Sequence, residues 1–238
     1  DWEPFPSEPA PPGALQENPL AGLRKLTEAA HRRTRFLQPE EIGRLLEACE
    51  QSKARMYLRV AILLAVEHGA SMQEVMDLTW DDIDLERGLI RFYRTKNKRR
   101  RMHDLMPGTR VALLRLREHL KAERKKRGID LSVAGRVLVH LDGRPRSTLR
   151  DAWERTVKRA GLSDYRFHDN RHTFCSNLML AGLDLKDVKE LIGHSDIRMT
   201  DRYSHLSPAR KKQAHTRLAA HYGDAVAVAE AEEEAGTT

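Results

Sequence analysis

The sequence predicts an α+β fold that is mainly α: a helical bundle carrying a small three-stranded antiparallel sheet. Three observations predict it. Apolar residues recur at helical spacing in most stretches after Pro39. Between Ile83 and Pro107 the pattern changes to short strand-like runs separated by turn signals. Aromatic residues make up only 5% of the chain, which argues against a β-sandwich rich in Tyr and Trp. The 238 residues, 40% of them hydrophobic, suffice for one substantial domain with a packed core.

Residues 1–20 hold six of the ten prolines and lack helical periodicity, so they are expected to form a linker or a truncated end. A basic lead-in follows, with Arg24, Lys25, Arg32, Arg33 and Arg35 suited to lie along DNA or simply to face solvent. Pro39-Glu40-Glu41 starts a helix, with proline at the first helical position and acids in the first turn. A second helix is predicted from Arg55 to Glu67, with Leu58, Ala61, Ile62 and Ala65 on one side and Gly69 ending it. Ser71-Met72-Gln73-Glu74 is a capping box that opens a short helix.

The sheet is read as Ile83-Asp84-Leu85, then Leu89 to Arg94, then Leu105-Met106-Pro107, with a hairpin turn over Thr95 to Arg101. Helices are then expected over Thr109 to Arg127, Leu149 to Ala160, residues 168–181 and Leu185 to Ile192. Val137-Leu138-Val139 reads as a short buried segment. Asp196 to Tyr203 reads as a short helix or turn, and Ser207-Pro208 caps a last helix to Tyr222. The folded domain is assigned to residues 21–222, and 223–238 form an acidic tail expected to fray.

The net charge is +7, and the tail from Asp224 onward carries five acids and no Lys or Arg, leaving +12 on the remainder. A basic body suits a polyanionic partner, and surface solubility accounts for it equally well. Arg94, Lys96, Lys98, Arg99, Arg100 and Arg101 crowd into eight residues, a density that favours phosphate contact. Lys121 and Arg124 to Arg127 crowd a helix end, where the helix dipole is explanation enough. Cys49 and Cys175 make no disulfide framework. With no run of 18 apolar residues and no signal peptide, a cytoplasmic, nucleoid-associated protein is expected.

The chemistry-bearing set lies toward the C-terminal end. Phosphodiester cleavage without a metal needs a nucleophile, cations for the non-bridging oxygens, a donor for the leaving 5′ oxygen and a base or hydrogen bond for the nucleophile. Tyr203 can be the nucleophile, keeping the broken strand attached and the bond energy stored. Arg171 offers a planar fork for two phosphate oxygens, and His168 lies three residues earlier on the same helix face. His194 follows a helix-ending glycine, and Lys96 is long enough to protonate a leaving oxygen. Singly, each of these residues has an ordinary packing or surface explanation.

Their order and spacing, however, resemble the catalytic domain of tyrosine recombinases, the phage integrases and Xer-type enzymes, from roughly Arg35 to His221. The resemblance rests on Leu37-Gln38-Pro39-Glu40-Glu41, the run from Glu74 to Asp84, and Thr95-Lys96-Asn97-Lys98. It also rests on His168-Asp169-Asn170-Arg171-His172-Thr173-Phe174, Leu191-Ile192-Gly193-His194 and Met199-Thr200-Asp201-Arg202-Tyr203. It implies site-specific DNA recombination of the integration or excision type through a 3′-phosphotyrosine on Tyr203. Arg171 would clamp the scissile phosphate, His168 and His194 would hydrogen-bond it, and Lys96 would be the general acid, with Lys98 a possible substitute. Glu74 would be a carboxylate beside the site. The implied partners are double-stranded DNA and further protomers in a tetrameric synapse, with no metal or cofactor.

Two departures stand out. Where the family has its first catalytic arginine, three residues before Glu74, this chain has Ser71. Serine is the better N-cap, so the change is expected to spare the fold and remove chemistry, at a cost of at least about 10²–10³ in cleavage rate by analogy with loss of one oxyanion donor. Natural degeneration and a deliberate inactivating substitution both fit. The second departure is the lack of the helical DNA-binding domain that usually precedes the catalytic one, as expected of a separated or truncated domain. Two other readings compete. One is a DNA-binding protein with a degenerate recombinase fold that does not cut. The other is a metal hydrolase built on His168, His172 and Cys175, which Asp169 disfavours because the zincin pattern needs Glu directly after the first His.

Overall fold

The computed structural model describes residues 35–94, 99–129, 135–194 and 196–206, with residues 216, 218 and 220. The proline-rich segment, the basic lead-in before Arg35, the hairpin tip with Lys96 and Lys98, the last helix and the acidic tail lie outside the described residues or, for that helix, almost wholly so.

The described chain opens with α1 (Pro39–Glu50), where Glu41 returns to the backbone N–H of Gln38 at 3.0 Å as half of a capping box. The helix α2 (Arg55–His68) is buried all round, from Tyr57 through Leu64 to Val66, where the sequence predicted one apolar side. A helix buried on every side is a central one. It packs against α1, α3 (Met72–Asp77), α4 (Pro107–Lys126) and α6 (Asp169–Leu180). Each fully buried Leu or Ile on it contributes roughly 1.5–3 kcal/mol relative to exposure. Gly69 closes α2 at φ 64°. A Cβ there would lie 2.5 Å from Ile192 Cδ1 and 2.6 Å from Phe174 Cδ1, so both the backbone conformation and the space call for glycine.

The sheet is three-stranded and antiparallel, in the order β1 (Ile83–Asp84), β2 (Leu89–Arg94), β3 (Arg99–Asp104). The third strand is a correction to the sequence reading, which placed it at Leu105-Met106-Pro107 and gave Arg99 to Arg101 to the turn. The register explains the difference: Phe92 pairs with Arg101 and Ile90 with His103. Residues paired across an antiparallel sheet share a face. Ile90 and Phe92 point into the core, so Arg101 and His103 go with them, and the Arg101 guanidinium lies over the Phe92 ring, 4.5 Å from its centroid. A basic run thus forms a strand because alternate stems have an apolar face to cover. Pro107 then begins α4 two residues earlier than predicted.

After α4 the segment Val137–Val139 is buried as expected and bridged by Thr79 to Arg136 and by Val139 to Pro145. α5 (Arg150–Arg159) packs on α1. α6, α7 (Leu185–Ile192), α8 (Arg198–Asp201) and a 3-10 turn at Ser204–Leu206 follow. A second, smaller core gathers Phe174, Cys175, Met179, Val188, Ile192 and Tyr203. No helix among the described residues is long and apolar enough to cross a membrane.

Candidate active site

Helix α6 carries buried polar side chains where an ordinary core helix would carry apolar ones: Asp169, Asn170, Arg171, Thr173 and Ser176. Such groups are tolerated when hydrogen-bonded. The Tyr165 hydroxyl donates to Asn170 Oδ1 at 2.8 Å, Asn170 Nδ2 to the Phe167 carbonyl at 2.9 Å, and the Arg166 N–H to Asp169 Oδ2 at 2.8 Å. The Leu37 N–H donates to Thr173 Oγ1 at 3.0 Å. These bonds fix the start of α6, with His168 as its N-cap residue.

Arg171, 5% exposed, donates from NH1 to the Gly69 carbonyl at 2.7 Å and from NH2 to the Ile192 carbonyl at 2.5 Å. Both carbonyls sit at helix ends, of α2 and α7, where they lack helical partners. NH1 also lies 3.6 Å from Glu74 Oε2. The capping box at Ser71 holds that carboxylate: Oε2 accepts from the Ser71 N–H and from Ser71 Oγ, each at 2.8 Å. The other oxygen, Oε1, pairs with Arg101 NH1. Burial pushes the Glu74 carboxyl up, but the Arg101 hydrogen bond and charge, with the Ser71 donors, outweigh it and hold Glu74 below the usual carboxylate range.

Tyr203 is 5% exposed, and its hydroxyl is hydrogen-bonded to His172 Nδ1. Burial pushes the phenol well above its usual range, and Cys175 beside it adds to the shift. Burial, followed by the charge of His168, lowers His172 to about 4, so its imidazole is neutral at pH 7. The His168 and His172 rings meet edge to face at 5.6 Å. His194, turned inward by Gly193 at φ 71°, hydrogen-bonds Thr200 Oγ1 through Nδ1 at 3.0 Å. It lines a cavity of about 370 Å3 together with Arg100, Arg101, Lys186, Lys189 and Glu190.

The structure therefore links Ser71, Glu74 and Arg171 in one network, and His168 and Tyr203 through His172. Arg100 is exposed on β3. Lys96 and Lys98 lie outside the described residues, as do the side chains of Arg94 and Arg99. Among the described residues no three His, Cys, Asp or Glu side chains gather as a metal site would need. Two residues carry more of the site than their sequence reading gave them. In the sequence His172 stands out only within the resemblance motif and the disfavoured metal-hydrolase set, and Arg101 as one of six charges in the basic run. Only the β-alternation that pairs Arg101 with Phe92 could have drawn it out of that run.

Comparisons with known proteins agree with this architecture. The family model described as Phage integrase family matches residues 35–210. The chain is 26% identical over 216 residues to the integrase of Salmonella phage P22, covering 87% of this chain and 52% of that protein. It is 32% identical over 214 residues to tyrosine recombinase XerC of Azotobacter vinelandii, covering 86% and 68% respectively. The solved catalytic domain of bacteriophage HP1 integrase superposes with a TM-score of 0.56 at 27% identity, covering 76% of this chain and 93% of that one. The Tn1549 transposon integrase in complex with transposon right end DNA superposes with a TM-score of 0.62 at 21% identity, covering 79% and 67%, a likeness of fold. The chain spans about half the length of the P22 integrase and 55% of the tyrosine recombinase XerA of Saccharolobus solfataricus that it also matches. On the match over residues 35–210 and the shared fold, the chain belongs to the phage integrase family.

Proposed function

We propose that this domain performs site-specific DNA recombination, cutting and rejoining strands through Tyr203. The Tyr203 oxygen attacks the scissile phosphorus, its proton passing to neutral His172 Nδ1. The bond from phosphorus to the 5′ oxygen breaks, and Lys96 protonates that oxygen. A 3′-phosphotyrosine remains, and a 5′ hydroxyl reverses the step to rejoin strands. Arg171 neutralises the non-bridging oxygens, while His168 and His194 hydrogen-bond them. Because the phenol is 5% exposed, attack on a duplex requires the segment from Arg198 to Leu206 to bring it forward. The partner is double-stranded DNA, approached by the β2–β3 hairpin with Arg94, Lys98, Arg99, Arg100 and Arg101. Protomers assemble as a tetramer on the DNA, in the cytoplasm at the nucleoid.

The observation that carries this reading is the hydrogen bond from the buried Tyr203 hydroxyl to a histidine held neutral by burial. A nucleophile beside a base that stays unprotonated is the arrangement general-base activation requires. Ser71 in place of the family's arginine lowers the cleavage rate below that of a chain with arginine there. It also favours the second reading, a recombinase fold that occupies DNA without cutting it. A pool of duplexes with randomised flanks around a single nick separates the two, because the fragment beyond the nick diffuses away and traps any covalent product. A denaturation-resistant protein–DNA band supports cleavage. Retention of the pool on native gels with no such band supports the second reading.

A further inference from the structure

We propose that Arg101, from strand β3, supplies the second guanidinium of the phosphate clamp in place of the arginine absent at Ser71. The inference rests on the strand-cleavage reading of Tyr203.

Two buried guanidinium groups converge on one carboxylate. Arg171 NH1 lies 3.6 Å from Glu74 Oε2, and Arg101 NH1 pairs with Glu74 Oε1. Ser71 Oγ donates to the same carboxylate at 2.8 Å. A side chain beginning at position 71 and the Arg101 fork, arriving from the sheet, therefore meet at the same anchor. The route is set by the strand register, since Arg101 opposite Phe92 points inward and its guanidinium lies over that ring.

Arg101 is also incompletely satisfied. Its side chain is 9% exposed, yet Nε and NH2 are buried with no hydrogen-bond partner among the described residues. Donors of a charged group left unpaired in the interior carry a desolvation cost that a ligand would relieve. Those donors belong to a residue that lines the cavity shared with His194, Lys186 and Lys189. The chemistry that fits is an oxyanion with two acceptor oxygens, and a planar fork matches a phosphodiester in this way whereas an ammonium does not.

Glu74 explains why Arg101 is held ready. One of the five N–H donors of its guanidinium fixes it to the carboxylate, leaving the others for the ligand. A purely structural ion pair with Glu74 would ask only for a positive charge in this place. The test uses that difference.

Single-turnover cleavage of the nicked duplex pool is compared among the unchanged chain, Arg101→Lys, Ser71→Arg and the double variant, with urea unfolding as a check on the fold. Lysine keeps the charge beside Glu74 and removes the fork. The expected result is a folded Arg101→Lys protein cleaving at least about tenfold more slowly. Adding Ser71→Arg to it returns most of the rate, while Ser71→Arg alone changes the unchanged chain by a smaller factor. Arg101→Lys cleaving at the original rate overturns the proposal, as does a double variant no faster than Arg101→Lys. Covalent product from Ser71→Arg alone overturns this proposal and leaves Tyr203 cleavage standing for the restored chain. Product from none of the four proteins overturns the cleavage reading itself and this proposal with it.

Discussion

The Tyr203 hydroxyl and His172 Nδ1 form a hydrogen bond at the seam between α6 and the turn after α8. It ties the candidate nucleophile to the residue directly after Arg171, so one helix sets both the proposed phosphate-binding group and the proposed base. His172→Phe is expected to keep the ring packing and lower single-turnover cleavage by about 10²-fold or more. Equal rates in the variant and the parent would remove His172 from the mechanism.

The buried histidines make stability depend on pH. Burial lowers His68 to about 3, helped by the charges of His103 and Arg101, and lowers His172 to about 4. Unfolding returns each to about 6.5. Below that value the unfolded chain binds protons that the folded chain refuses, so stability is full above about pH 6.5 and falls on acidification toward the folded values. His68, 1% exposed, accounts for on the order of 2 kcal/mol lost by pH 5. Glu74, held below its usual range, adds to the loss only at still lower pH. Urea midpoints at pH 7 and pH 5 check this, with His68→Leu expected to show the shallower pH dependence and an identical slope counting against the assignment.

Ser71 and Gly69 support the network from the backbone side. Ser71→Ala removes the cap of α3 and one donor to Glu74, and is expected to lower stability by about 1 kcal/mol. Gly69→Ala forces a Cβ against Ile192 and Phe174 at a left-handed position and shifts the carbonyl that holds Arg171. Its expected cost is about 2–4 kcal/mol, read from the urea midpoint. A smaller effect from Gly69→Ala than from Ser71→Ala would contradict the packing described.

Much of this was legible in the sequence, and the misses have physical causes. The capping box at Ser71 and the limits of α7 followed from local side-chain rules, which act within a few residues. The register of β3 did not, because the partner of Arg101 is Phe92 across the hairpin, and charge density in Arg99 to Arg101 looked like a turn. The all-round burial of α2 depends on α1, α4 and α6 meeting it from different sides, which no single stretch encodes. The pairing of Tyr203 with His172 spans 31 residues and needed the folded chain.

The exposed Arg100, whose guanidinium lies 5.6 Å from the Tyr93 ring centroid, provides a separate test of DNA approach by the hairpin. Arg100→Ala is expected to weaken binding to duplexes of any sequence and to reduce the slope of log affinity against log salt by about 0.9. Fluorescence anisotropy across a salt series measures it. A weakened affinity with an unchanged slope would mean that Arg100 does not touch phosphate.

The most direct measurement is the chemical identity of the protein–DNA bond. The trapped adduct from the nicked duplex pool is digested with protease and nuclease and its peptides are mapped by mass. A nucleotide on the peptide containing Tyr203, and no adduct from Tyr203→Phe, is the predicted result. An adduct on another residue, or one that survives Tyr203→Phe, contradicts the account.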